Sequence, residues 1–130
     1  GIQPYANSLS AMKEKSKNEM AILYRDDCND KAHVQAFLAR LQGSITDNAL
    51  LVFSLDCDAL KASDMGAVSA PNHHGVELEL VHQLVSWYSD WCQEQGQRQY
   101  FGVYEFNPLY DTVSGNSARV MSGLLYRMMN

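Results

Sequence analysis

Apolar runs and helical stripes alternate along this chain. Leu50-Leu51-Val52-Phe53 is a continuous apolar run that passes through Ser54-Leu55 and closes on Asp56-Cys57-Asp58. A short unbroken run of this kind fits a strand buried on both faces, as in a parallel sheet, and a strand is expected over residues 49–55. Gln99-Tyr100-Phe101-Gly102-Val103-Tyr104-Glu105-Phe106 reads as a second strand ending near an acid, with Asn107-Pro108 after it. Met20-Ala21-Ile22-Leu23-Tyr24 reads as a shorter one, and residues 1–6 as a strand end entering a loop at Pro4. Val34, Phe37, Leu38 and Leu41 recur at helical spacing, with Asp30 placed to cap that helix and Gly43 to end it. The longest stripe is Leu78, Val81, Leu84, Val85, Tyr88, Trp91 and Cys92, entered through Glu77 and Glu79 and stopped by Gly96. Ala118, Met121, Leu124, Leu125 and Met128 predict a last helix, capped by Asn116 or Ser117. A polar helix with a thin apolar face is expected over residues 8–15, capped by Asn7 or Ser8. Strand and helix in alternation mean an α/β fold with a mostly parallel sheet.

The candidate chemistry sits where the central strand ends. Ligands of open α/β sheets bind outside the C-terminal strand ends. Strand alternation sends Asp56 and Asp58 to one side and Cys57 to the other. Two carboxylates on one side repel, so a cation belongs between them, and a divalent metal is the natural one. The plainer alternative is that each Asp only serves a turn or a helix cap. Residues 59–75 follow, irregular and rich in small residues, a length that in a compact domain is usually functional or disordered. Next to the acid pair, they would form a wall of an active site. Asp26, Asp27 and Asp30 lack the spacing, glycine and closing Glu of a calcium loop and read as a solvated loop. The aromatic stripe of the long helix reads as core, with His82 beside it as a packed or partly exposed helix residue.

Composition narrows the classes. The 130 residues are enough for one modest core, and 46% hydrophobic with 19% charged residues is globular. A net charge of −5 argues against a nucleic-acid or anionic-membrane surface. No apolar run approaches the ~20 residues that span a bilayer. Three widely spaced cysteines, Cys28, Cys57 and Cys92, match no zinc spacing and point to a reducing compartment, the cytoplasm. The start at Gly1-Ile2-Gln3-Pro4 reads like the interior of a longer protein.

Two stretches combine into something specific. Ser54-Leu55-Asp56-Cys57-Asp58 is followed by Gly66-Ala67-Val68-Ser69-Ala70-Pro71 and Gly75-Val76, and some fifty residues after the acid pair comes Tyr104-Glu105-Phe106-Asn107-Pro108. This resembles the late signature of the arginase/agmatinase/formimidoylglutamase family, the ureohydrolases. In that family S-x-D-x-D precedes a small-residue loop with G-[TV]-[SA]-x-P, and the last strand ends in E-x-N-P. Val68-Ser69-Ala70-Pro71, Asn107-Pro108-Leu109-Tyr110-Asp111 and the Gly1–Ser8 segment look most like the formimidoylglutamase branch. The likeness runs in order over nearly the whole chain.

The resemblance implies a three-layer αβα arginase-like domain of which residues 1–130 are the C-terminal part. It implies a hydrolase with two Mn²⁺ ions per active site, of which Asp56 and Asp58 are ligands. Glu105 is implied to meet the cationic amidine or guanidine of a small-molecule substrate, N-formimidoyl-L-glutamate in histidine degradation. A homo-oligomer is implied for the full-length protein. No role carries over to a histidine, because the family's earlier His and Asp-x-His-x-Asp ligands have no counterpart here and His33, His73, His74 and His82 are wrongly spaced. One of the adjacent His73 and His74 could touch the site, although a solvated pair is the simpler reading. Ala59-Leu60-Lys61 stands where the family often has a proline, and Gly66-Ala67 where it has Pro-Gly, which alters loop shape more than ligation. Rival readings are an arginase, agmatinase or guanidino-acid hydrolase, a phosphotransferase with a D-x-D strand (Leu60 is a near miss for its Thr or Val), and a metal-free binding module.

Overall fold

A computed structural model describes residues 21–129 and divides the chain into two compact units, Gly1–Thr46 and Asp47–Asn130. The strand end over residues 1–6 and the helix over 8–15 lie outside the described residues. So does Met20 of the expected strand, while Ala21–Leu23 carry no regular structure.

In the first unit a 3-10 turn, Arg25–Asn29, leads into helix α1, Lys31–Ser44. Asp30 is the N-cap, as its position predicts: its carboxylate accepts from the Ala32 N–H at 2.8 Å and from His33 Nδ1 at 3.0 Å. The helix passes through Gly43 instead of ending there. Its last carbonyls are met by other groups, since the Ser44 hydroxyl donates to Leu41 O and the Ile45 N–H to Gln42 O.

The second unit is a β–α–β motif with a closing helix: β1 (Leu50–Asp56), α2 (Leu78–Gln95), β2 (Arg98–Tyr104) and α3 (Asn116–Met129). β1 and β2 pair in parallel, from Leu50 opposite Arg98 to Asp56 opposite Tyr104. A parallel neighbour requires a crossover, and α2 supplies it. Of the predicted α2 stripe, Val81, Val85, Tyr88 and Cys92 are buried and Leu78, Leu84 and Trp91 are partly covered, while Leu80, outside the predicted stripe, is buried as well. Gly96, in the left-handed region at φ 61°, ends the helix by donating to Cys92 and Gln93 carbonyls.

The core lies between one face of the strand pair and the two helices. Leu55, Val81, Val85, Met121 and Leu124 form its centre, with Phe53, Phe101 and Val103 packed against it. The Phe53 ring stands 5.3 Å from both Tyr88 and Phe101. The Tyr88 hydroxyl lies 2.8 and 2.9 Å from the carbonyl oxygens of Leu51 and Tyr100 and accepts from the Tyr100 N–H at 3.0 Å, which pins α2 to both strands. The expectation of a strand buried on both faces is not met among the described residues. Burial alternates along β1, and Leu50, Val52, Tyr100 and Tyr104 on the other face are 50–59% exposed. Both helices of the unit pack on the same side.

The cap of α3 is not the predicted one. Asp111, five residues upstream of the helix, accepts from Ser117 N–H at 3.1 Å, Ala118 N–H at 2.9 Å and Thr112 N–H at 2.8 Å. These donors, Ala118 first, hold its carboxyl below the usual carboxylate range. A lowered carboxyl adds stability that is complete above the unfolded value of about 3.9 and disappears as pH falls through the folded value. The urea midpoint of the chain should therefore drop as pH falls below about 4, and Asp111→Asn should lower the midpoint at neutral pH and flatten that drop. Superimposable profiles for the two proteins would remove Asp111 from the capping role.

Candidate active site

The parallel register brings the expected site residues together. β1 ends at the exposed Asp56, which stands opposite Tyr104, so Glu105 is the next residue outward on the neighbouring strand. Asp58 lies just beyond, in the 3-10 turn Cys57–Ala59. Its carboxyl is raised from the ordinary value by partial burial first, then by the charge of Asp56 and a hydrogen bond with it, and then by the charge of Glu105. Three carboxylates thus converge on the C-terminal edge of the strand pair.

Cys57 goes the other way. It is fully buried, 3.7 Å from Met121 Sδ, and burial, followed by the negative charges of Asp56 and Asp58, pushes its thiol up to about 11. It stays protonated at neutral pH and acts as a core side chain between two candidate site residues.

Glu105 has φ 61°, a left-handed conformation that is uncommon for a residue with a long side chain. Such strain costs on the order of 1 kcal/mol or more and collects at functional sites. The turn carries the chain off the end of β2, and the Ser69 hydroxyl then donates to Glu105 Oε2 at 3.3 Å.

Residues 59–75 are irregular but stapled at several points. Leu60 bridges to Val76 and Lys61 to Asn72, with Val76 N–H on Ala59 O at 2.8 Å and Ala62 N–H on Asn72 O at 2.8 Å. A side chain on Gly75 would meet the Leu60 carbonyl carbon and oxygen at 2.3 Å, so only glycine allows this backbone contact. The Lys61 ammonium pairs with Glu77, and Asp64 accepts from the first N–H of α2 at 3.4 Å. Farther on, the buried Ser117 hydroxyl accepts from the N–H groups of Gly66 and Ala67 at 3.2 Å each, and Ala67 O accepts from Asn107 N–H at 2.8 Å. His73 and His74 are exposed in this loop, and the His74 N–H closes a turn onto Asn72 Oδ1.

The sequence matches the arginase family over residues 1–130. The chain belongs to that family. It is 34% identical over 124 residues to a formimidoylglutamase of Citrobacter koseri, covering 95% of this chain and 36% of that protein. A formimidoylglutamase of Klebsiella pneumoniae is 30% identical over 132 residues, covering 98% and 38%. The chain therefore spans little more than a third of the length of these relatives. Among solved structures, its fold superimposes on formimidoylglutamase from Bacillus subtilis with a TM-score of 0.80 at 18% identity, over 99% of this chain and 39% of that one. Helicobacter pylori arginase gives 0.79 at 14% identity, over 95% and 39%. A Trypanosoma cruzi formiminoglutamase with Mn²⁺ gives 0.76 at 22% identity, over 98% and 41%.

The α/β fold with a parallel sheet is thus the arginase-like one. Sequence reasoning about this arginase-family chain selected the three acids and overlooked what holds their surroundings. The Ser69 and Ser117 hydroxyls make contacts that reach 36 and 51 residues along the chain, and Gly75 acts through a backbone approach, none of which local spacing reports. Gly75→Ala should force the loop off Leu60 and destabilise the chain by about 1–3 kcal/mol, the range for overpacking. Urea unfolding beside the wild type measures it, and an unchanged midpoint would mean that the contact is not tight.

Proposed function

We propose that this chain is the C-terminal part of a cytoplasmic, formimidoylglutamase-type hydrolase that adds water across a C–N bond of N-formimidoyl-L-glutamate, giving L-glutamate and formamide. The observation that carries the reading is the meeting of Asp56, Asp58 and Glu105 at one strand edge, where Asp58 is raised by partial burial first and then by the other two. The names of the curated relatives support the choice of substrate within the family.

Asp56 and Asp58 fit a hard divalent cation as far as they go. They are adjacent oxygen donors whose mutual repulsion a cation would relieve. Among the described residues no group of three His, Cys, Asp or Glu side chains is arranged to hold a metal. Since the chain spans little more than a third of the length of its relatives, the remaining ligands are assigned to parts of the enzyme that it does not span. When bound, a manganese pair supplies a hydroxide nucleophile from water at neutral pH.

The other tasks belong to side chains of this chain. Asp56 and Asp58 would hold the metal, one from the strand and one from the turn. Glu105 accepts hydrogen bonds from the cationic amidine, orienting its carbon toward the acid pair. Cys57 stays out of the chemistry and fixes the spacing of its neighbours by packing on Met121.

In a full-length enzyme carrying this chain, Asp56→Asn and Asp58→Asn should lose manganese and turnover together. Glu105→Ala should keep its manganese and lose roughly 10- to 150-fold in kcat/KM, the value of a charge-assisted hydrogen bond of ~1.5–3 kcal/mol. The isolated chain should not turn over amidines or guanidines. Elemental analysis beside steady-state kinetics on formimidoylglutamate, arginine and agmatine checks all of this. Asp variants that retain metal and activity, or a Glu105 variant without metal, would overturn the roles. Preference for a guanidine would move the substrate to another branch.

A further inference from the structure

The small-residue loop places one hydroxyl on the acid that the proposed function assigns to the substrate. Ser69 Oγ donates to Glu105 Oε2 at 3.3 Å across 36 residues of sequence. The two partners are brought together from both sides. On one side, the Gly66 and Ala67 N–H groups are held by the buried Ser117 hydroxyl, two and three residues before Ser69. On the other, the Asn107 N–H, two residues after Glu105, donates to Ala67 O at 2.8 Å. Glu105 meanwhile spends a left-handed conformation to leave the strand. A Glu side chain, with three rotatable bonds, still has several rotamers once its backbone is set, and one donor on one oxygen selects among them. Both side chains are exposed, so the bond orients a group and does not hold up the fold.

We propose that Ser69 is a positioning residue: it occupies Glu105 Oε2 and turns Oε1 toward the cationic end of the substrate. The proposal rests on the substrate role given to Glu105. Its chemistry is specific to a donor, because a carboxylate facing two neighbouring acids has no acceptor to gain from. Alanine at 69 frees the Glu105 rotamer, and threonine restores the hydroxyl.

The test is a double-mutant cycle in a full-length enzyme carrying this chain, with manganese content and thermal midpoint measured on every variant. Glu105→Ala alone addresses the underlying role: if it leaves kcat/KM unchanged, that role fails, and the positioning of Glu105 falls with it. If Glu105→Ala is impaired, Ser69→Ala should lower kcat/KM by about 3- to 10-fold, the net value of one hydrogen bond. Ser69→Thr should recover most of that loss. Ser69→Ala added to Glu105→Ala should cost nothing further, and manganese and the midpoint should stay at wild-type values. Additive losses, failure of threonine to rescue, no effect of Ser69→Ala, or loss of metal or stability in it would each overturn the proposal while leaving the role of Glu105 intact.

Discussion

The constraint on which the site depends is the parallel register of β1 and β2. Asp56 opposite Tyr104 makes Glu105 the first residue past the pair on the second strand, and Asp58 the second residue past it on the first. A one-residue slip would turn every side chain of a strand to the other face. Phe53 and Leu55 on β1, with Phe101 and Val103 on β2, would then leave the core. The hydrophobic packing that selects the register is the same packing that assembles the acids. Tyr88 reinforces it by bonding the backbone of both strands from one hydroxyl.

Around that frame an irregular segment is made rigid by backbone contacts. The Leu60–Val76 bridge returns the loop to its starting point, so its ends are fixed beside the acid pair. Gly75 makes the return possible by lying against the Leu60 carbonyl. Ser117 then joins the loop to α3 with two accepted hydrogen bonds, while Asp111 caps the same helix. Site residues on loops work only when such supports are present.

Much of this was legible in the sequence because periodicity reports burial. The stripe of α2, the α1 cap at Asp30 and the acids at the strand ends all follow from local spacing. The burial of both strand faces was not legible in this sense. Apolar residues at Leu50 and Val52 say that the face is suited to a covering layer, and among the described residues of this unit none packs there. The α1 terminus and the α3 cap were missed for a simpler reason. A helix end is decided by whichever group reaches the free carbonyls or amides, and Asp111 reaches from outside the window in which caps are sought.

The left-handed backbone at Glu105 carries a consequence for the history of such chains. Glycine or asparagine would hold that turn with less strain, so its backbone favours replacement while the proposed substrate role of its carboxylate opposes it. Under that proposed role, position 105 becomes a record of use. In a lineage that keeps the chemistry the strained glutamate should persist, and in one that keeps only the fold it should relax to glycine or asparagine before the buried strands change.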